Sequence, residues 1–181
     1  MDKKIEIKLK KDMENFMRNK ERNQMKGGLS IFKRSLWSGI LFGIGLAAFI
    51  DEAIFHQILH WHHFYDKSTT AAGLVSDGFF HAFSWFATIG GLFMLADLRR
   101  RNGLLLKGWW GSLLLGAGTF QLYDGTVQHK VFRIHQIRYV DNILTYDLVW
   151  NLAAAAMIIL GGILVGKQRR EVQLHEEKIN K

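Results

Sequence analysis

The segment Phe49-Ile-Asp-Glu-Ala-Ile-Phe-His-Gln-Ile-Leu-His-Trp-His-His63 packs Asp51, Glu52, His56, His60, His62 and His63 into fifteen residues. Imidazole nitrogens and carboxylate oxygens are the ligands of zinc, copper and iron, and they are also proton carriers. Part of the pattern recurs further on. Asp51, His56 and His62 stand five and eleven residues apart, and Asp124, His129 and His135 repeat both intervals. Asp77 and His81 add a carboxylate and an imidazole at i, i+4, one face of a helix. The candidate metal ligands are therefore Asp51, His56, His62, Asp77, His81, Asp124, His129 and His135. The chain has no cysteine, so thiolate sites and disulfides are excluded and any metal must be held by nitrogen and oxygen.

On an α-helix each residue turns by about 100°. Glu52, His56, His60 and His63 then share one stripe, while Asp51 and His62 share another more than a quarter-turn away. A lone aspartate near a histidine is often just a buried hydrogen-bonded pair, and His62 and His63 could be ordinary polar edge residues. The set as a whole points elsewhere, because it falls beside long apolar runs. Ionisable groups at membrane depth are costly without a partner.

Those apolar runs are the elements that must position the cluster. Hydrophobic residues make up 49% of the 181 and charged residues 22%, yet the charges collect between the runs and at the ends. Spans are expected at about 36–59, 74–96, 104–127 and 143–165, with a basic tail over 1–34, a membrane domain over 35–166 and a second tail over 167–181. The N-terminal tail, the 97–107 connection and the C-terminal tail carry 11, 4 and 5 Lys/Arg, against 1 in the 64–73 loop and 3 in 128–142. The positive-inside rule places both termini in the cytoplasm and the histidine-bearing loops outside, in a multi-pass protein of the plasma membrane. The net charge of +8 is accounted for by this topology signal, and no aromatic interleaving suggests nucleic acid. The expected fold is an all-α membrane protein, a four-transmembrane-helix bundle. The Asp/His repeat divides it into two tandem helix hairpins related by a pseudo-twofold axis roughly along the membrane normal. Gly39-Ile-Leu-Phe-Gly43 offers a close-approach face on the first span.

The string Gly43-Ile-Gly45-Leu46, Phe49, Asp51, His56-Gln57-Ile58-Leu59 and Trp61-His62-His63 resembles the signature of domain-of-unknown-function family 2243, small membrane proteins of bacteria and archaea. Asp77-Gly78 with His81-Ala82-Phe83, Asp124-Gly125 and His129 also match it. The resemblance runs from about residue 36 to residue 165. The chain departs from the pattern at Glu52, where the family has glycine, and at His60, where it has a polar residue other than histidine. The resemblance implies no activity. An association with respiratory-oxidase assembly leans toward copper or haem handling.

Three readings follow. The first is a membrane metalloprotein, redox or hydrolytic, with a site open to the outside. The second is a carrier that holds a transition metal, or haem between His56 and His129, for delivery to a partner such as an oxidase. The third is a small transporter or proton relay, against which the apolar inner halves of the spans speak. The bilayer is the medium in each, and a second copy of the chain or another membrane protein is the candidate partner.

Overall fold

A computed structural model describes residues 3–179, and among them the chain is all-helical with no strand. Helix α1 (Lys3–Asp51) passes into a π-helical segment, Glu52–Ile58. Helices α2 (Thr70–Arg100) and α3 (Leu106–Tyr123) follow, then a second π segment, Asp124–Phe132, and α4 (Ile143–Ile179). Helix α1 runs unbroken from the basic N-terminal stretch through Gly27-Gly28. By length and composition, Gly27–Ile58, Thr70–Arg100 and Ile143–Lys178 can each cross a membrane. The 18-residue α3 is shorter and carries Lys107, Gln121 and four glycines; it lies between α1 and α4 and buries half its residues.

Helix α1 is the axle of the bundle. Both α2 and α3 pack on it, and α4 packs on α3; among the described residues the backbone of α2 makes no close approach to α3 or α4, and α2 meets α3 only through side chains such as Phe80 and Phe120, whose ring centroids lie 5.9 Å apart. The close approach of α1 and α3 depends on missing side chains: a Cβ on Gly43 would run into the Leu113 carbonyl, and one on Gly116 into the Ile40 carbonyl. One hydroxyl ties three helices together. Ser38 Oγ donates to Gly91 O at 3.0 Å and accepts from Trp109 Nε1 at 3.1 Å.

Large apolar side chains cover the outside instead of filling the inside. Phe79, Phe86, Phe93, Val149 and Ile159 are all at least 62% exposed. In water such a belt would be an association surface; around helices of this length it is the face a bilayer covers.

Candidate metal centre

The largest side chains that the fold buries completely are polar. His56, His129, His135, Glu52 and Asp77 are each 1% exposed and Asp124 is 2% exposed. They come together because both helices that carry them widen at the same place. In the π segments the hydrogen bonds run from i to i+5, as from Leu59 N to Ile54 O at 2.9 Å. That widening aligns residues five apart. Asp51 and His56, which an α-helix would hold on different stripes, thus approach to 3.8 Å (Oδ2 to Nε2), and Asp124 Oδ2 lies 3.1 Å from His129 Nε2. The first π segment still keeps the i, i+4 pair, with Glu52 Oε2 3.1 Å from His56 Nδ1. A left-handed residue follows each segment, nine positions after its aspartate: His60 at φ 49° and Arg133 at φ 51°. From there the chain turns back and carries His62 and His135 inward.

The last two histidines are held by a reciprocal exchange. His62 Nδ1 donates to Ile137 O at 3.0 Å, and His135 Nδ1 donates to Phe64 O at 2.8 Å. Each acceptor is the carbonyl two residues beyond the other histidine. The two rings stack with centroids 4.7 Å apart and planes 4° from parallel. A carbonyl can only accept, so both Nδ1 atoms carry hydrogen, and in the neutral ring each Nε2 is a bare lone pair. Burial, with His56 and His135 beside it, pushes the His62 pKa down to about 2, so this ring is neutral. Its Nε2 is buried and has no hydrogen-bond partner. His135 Nε2 faces Asp124 Oδ1 at 3.3 Å. His56 Nδ1 donates to Asp77 Oδ1 at 3.0 Å, which leaves its Nε2 buried without a hydrogen-bond partner.

Two trios result, Asp51/His56/His62 and Asp124/His129/His135, and within each the ligand atoms lie within 4.8 Å of one another. The trios touch. His56 is 4.4 Å from His62, His62 is 4.7 Å from His135 and His135 is 4.7 Å from His129, centroid to centroid. Converging lone pairs and carboxylate oxygens repel one another unless a cation lies among them, and this donor set suits a transition metal. Histidines fixed through Nδ1–H to a carbonyl or a carboxylate, with Nε2 free, are what metal-ligating histidines show.

Around His56 a third group forms, Glu52/His56/Asp77. Asp77 accepts from His56 Nδ1, from Phe64 N at 2.7 Å and from His63 Nδ1 at 2.6 Å. His63 also lines a cavity of about 440 Å³ together with His60, Trp61, His62, Asp66, Lys67 and Tyr139. A hydrogen-bonded link therefore runs from that cavity through His63 and Asp77 to His56. Among the described residues the second trio has no such shell. A Cβ on Gly125, the counterpart of Glu52, would come within 2.6 Å of Trp150 Cδ1. Asp147, near the start of α4, pairs instead with Lys130 Nζ at 2.6 Å.

Seven of the eight candidate ligands thus lie in these groups. The structure does not bring His81 to them. It is exposed, with its ring 5.8 Å from Phe49. Helix α2 buries the stripe Gly73, Asp77, Phe80, Ser84, Ala87 and Gly91, with Leu98 further along, and His81 falls a quarter-turn past Phe80 on the flank. Glu52 and His63 belong to the surroundings of His56 although they are not among the eight. Their signal was the Glu52–His56–His60–His63 stripe, of which His60 is exposed.

The family model for the predicted membrane proteins DUF2243 matches residues 38–168, and the chain belongs to that family. No curated protein and no solved structure matches it.

Proposed function

We propose that this chain is a membrane metalloprotein in which Asp51, His56 and His62 on one side and Asp124, His129 and His135 on the other hold a pair of transition-metal ions. The observation that carries the reading is the set of inward lone pairs, above all His62 Nε2, buried in a neutral ring without a partner. Nitrogen-rich sites of this kind take copper, zinc or iron. The metals would supply redox or Lewis-acid chemistry. The protein's own residues orient the rings: Ile137 O, Phe64 O and Asp77 each hold an Nδ1–H. Asp77 and His63 connect the first trio to the outer cavity.

A resident centre fits better than a carrier's cargo site. Ligands that are 1–6% exposed, with His56, His62 and His135 held through Nδ1, favour retention over exchange. Haem fits poorly, because the stacked rings of His62 and His135 fill the place between His56 and His129.

The reading includes four membrane-spanning segments, with α3 and the second π segment forming the third, and a pseudo-twofold axis passing between His62 and His135. The matched left-handed residues, the two π segments and the reciprocal carbonyl exchange support that axis. The basic ends and the basic 97–107 connection favour a topology with the centre toward the outer side of the plasma membrane.

Titration of metal-stripped, detergent-purified protein with cobalt(II) tests the pair. Two equivalents are expected in the wild type, one in His56→Ala and one in His129→Ala. A single equivalent that either change abolishes would refute two sites, and no saturable binding would refute the centre.

A further inference from the structure

Helices α2 and α3 both lean on α1 and leave a gap between them, open sideways where the bilayer would be. The gap is a groove of about 670 Å³ with Ile44 of α1 among its lining residues. That volume is in the range of small-molecule sites. Its rim is exposed and aromatic, with Phe79 76% and Phe132 62% exposed. Deeper in, Phe64, Phe80 and Phe120 form a run of near-parallel rings, with centroids 4.9 and 5.9 Å apart. Two of these rings also form the wall of the histidine cluster: Phe80 is 5.5 Å from His56 and Phe64 is 6.0 Å from His135. One more lining residue, Gln128, is 4% exposed, precedes His129 in the chain, and has a buried amide Oε1 with no hydrogen-bond partner.

Each feature narrows the occupant. A buried amide oxygen without a donor is costly, so a ligand that brings an O–H gains more than one that does not. Flat rings stacked in parallel favour a flat ring between or against them. Among the described residues no lysine or arginine lines the groove, so a phosphate headgroup would find no partner there. The sideways opening lets an apolar tail trail into the bilayer. We propose that the groove binds the ring of a membrane-soluble hydroquinone, one hydroxyl of which donates to Gln128 Oε1, and so holds it one aromatic layer from the cluster. This site stands on the groove's own atoms and does not require the metal reading.

The test is equilibrium binding of a decyl-substituted benzohydroquinone to the full chain in nanodiscs of saturated phosphatidylcholine, without oxygen. Its quinone and its O,O-dimethyl ether serve as controls. The hydroquinone should bind saturably at one per chain and roughly 10-fold tighter than either control. Gln128→Leu should erase that preference. Thr119→Trp, at an exposed lining position, should weaken all three ligands by filling the groove. Equal binding of the three compounds in the wild type, or a preference that survives Gln128→Leu, would overturn the proposal. So would non-saturable uptake, the mark of lipid partitioning alone. Metal content measured on the same samples separates the two readings: a hydroquinone preference in a chain that takes up no metal would sink the centre and leave this site standing.

Discussion

Asp77 on α2 and Asp147 on α4 both lie near the start of their helices, yet only Asp77 touches a histidine of a trio, and this gives a differential test. Asp77 accepts three hydrogen bonds, two at Oδ1 from His56 Nδ1 and Phe64 N and one at Oδ2 from His63 Nδ1. In Asp77→Asn the amide oxygen can keep the two bonds at the Oδ1 position, and the new NH₂ faces His63, which is 23% exposed and free to turn away. The fold therefore survives. What His56 loses is the negative charge that makes its Nε2 a stronger donor to metal. Replacing such a partner costs about 10–100-fold in metal affinity, or about 1.4–2.7 kcal/mol. Only the first trio should feel it, because His129 has no matching carboxylate: Asp147 is paired with Lys130. Competition against a chelator should then show one of two metal equivalents weakened by that factor and the other unchanged. Asp147→Asn should leave both as they were. Equal loss at both equivalents, or equal effects of the two substitutions, would refute the reasoning that Asp77 acts through His56.

Other expectations follow from the same geometry. His81→Ala should leave metal content unchanged, since His81 is exposed against Phe49; lost metal would contradict the placement. Gly125→Glu, which copies Glu52 into the second half, should destabilise the chain by roughly 1–3 kcal/mol through overpacking on Trp150, read as a lower melting temperature in detergent. His60→Gly should preserve metal binding and hold or raise stability, because it relieves a left-handed φ at an exposed residue. The metal-free chain should lose stability as pH falls below about 6.5. The buried His62 has its pKa pushed down to about 2, so the unfolded state takes up the proton first, and stability falls by up to about 1.4 kcal/mol per pH unit from this group. Denaturation at pH 7 and 5.5 reads the sign, and His62→Phe should flatten the dependence.

The apolar runs and the charges at their ends were enough to read an all-helical membrane chain, because a bilayer leaves few other solutions for such a pattern. The intervals of five and eleven residues linked Asp51, His56 and His62, and Asp124, His129 and His135, which are the residues the fold brings into contact. What the spacing could not show was how. On regular α-helical stripes Asp51 and His56 diverge, and nothing in the residue types announces a π segment, whose i to i+5 bonds reunite them. Asp77 and His81 illustrate the opposite failure. Their i, i+4 spacing is compatible with a shared face, but α2 packs chiefly on α1 and its buried stripe is too narrow to include His81. Glu52 was legible as part of the stripe with His56, although it stands where the family pattern has glycine. The reciprocal carbonyl exchange depends on backbone turns after His60 and Arg133 and has no sequence signal at all.

The most direct test of the central claim is the metal content of the chain as isolated, purified in detergent without chelator, with its absorption spectrum, beside the His56→Ala/His129→Ala double variant. The account predicts two transition-metal ions per chain, with any ligand-field or charge-transfer bands, and the loss of both in the variant. No stoichiometric metal in the wild type, or an equal amount retained by the variant, would contradict it.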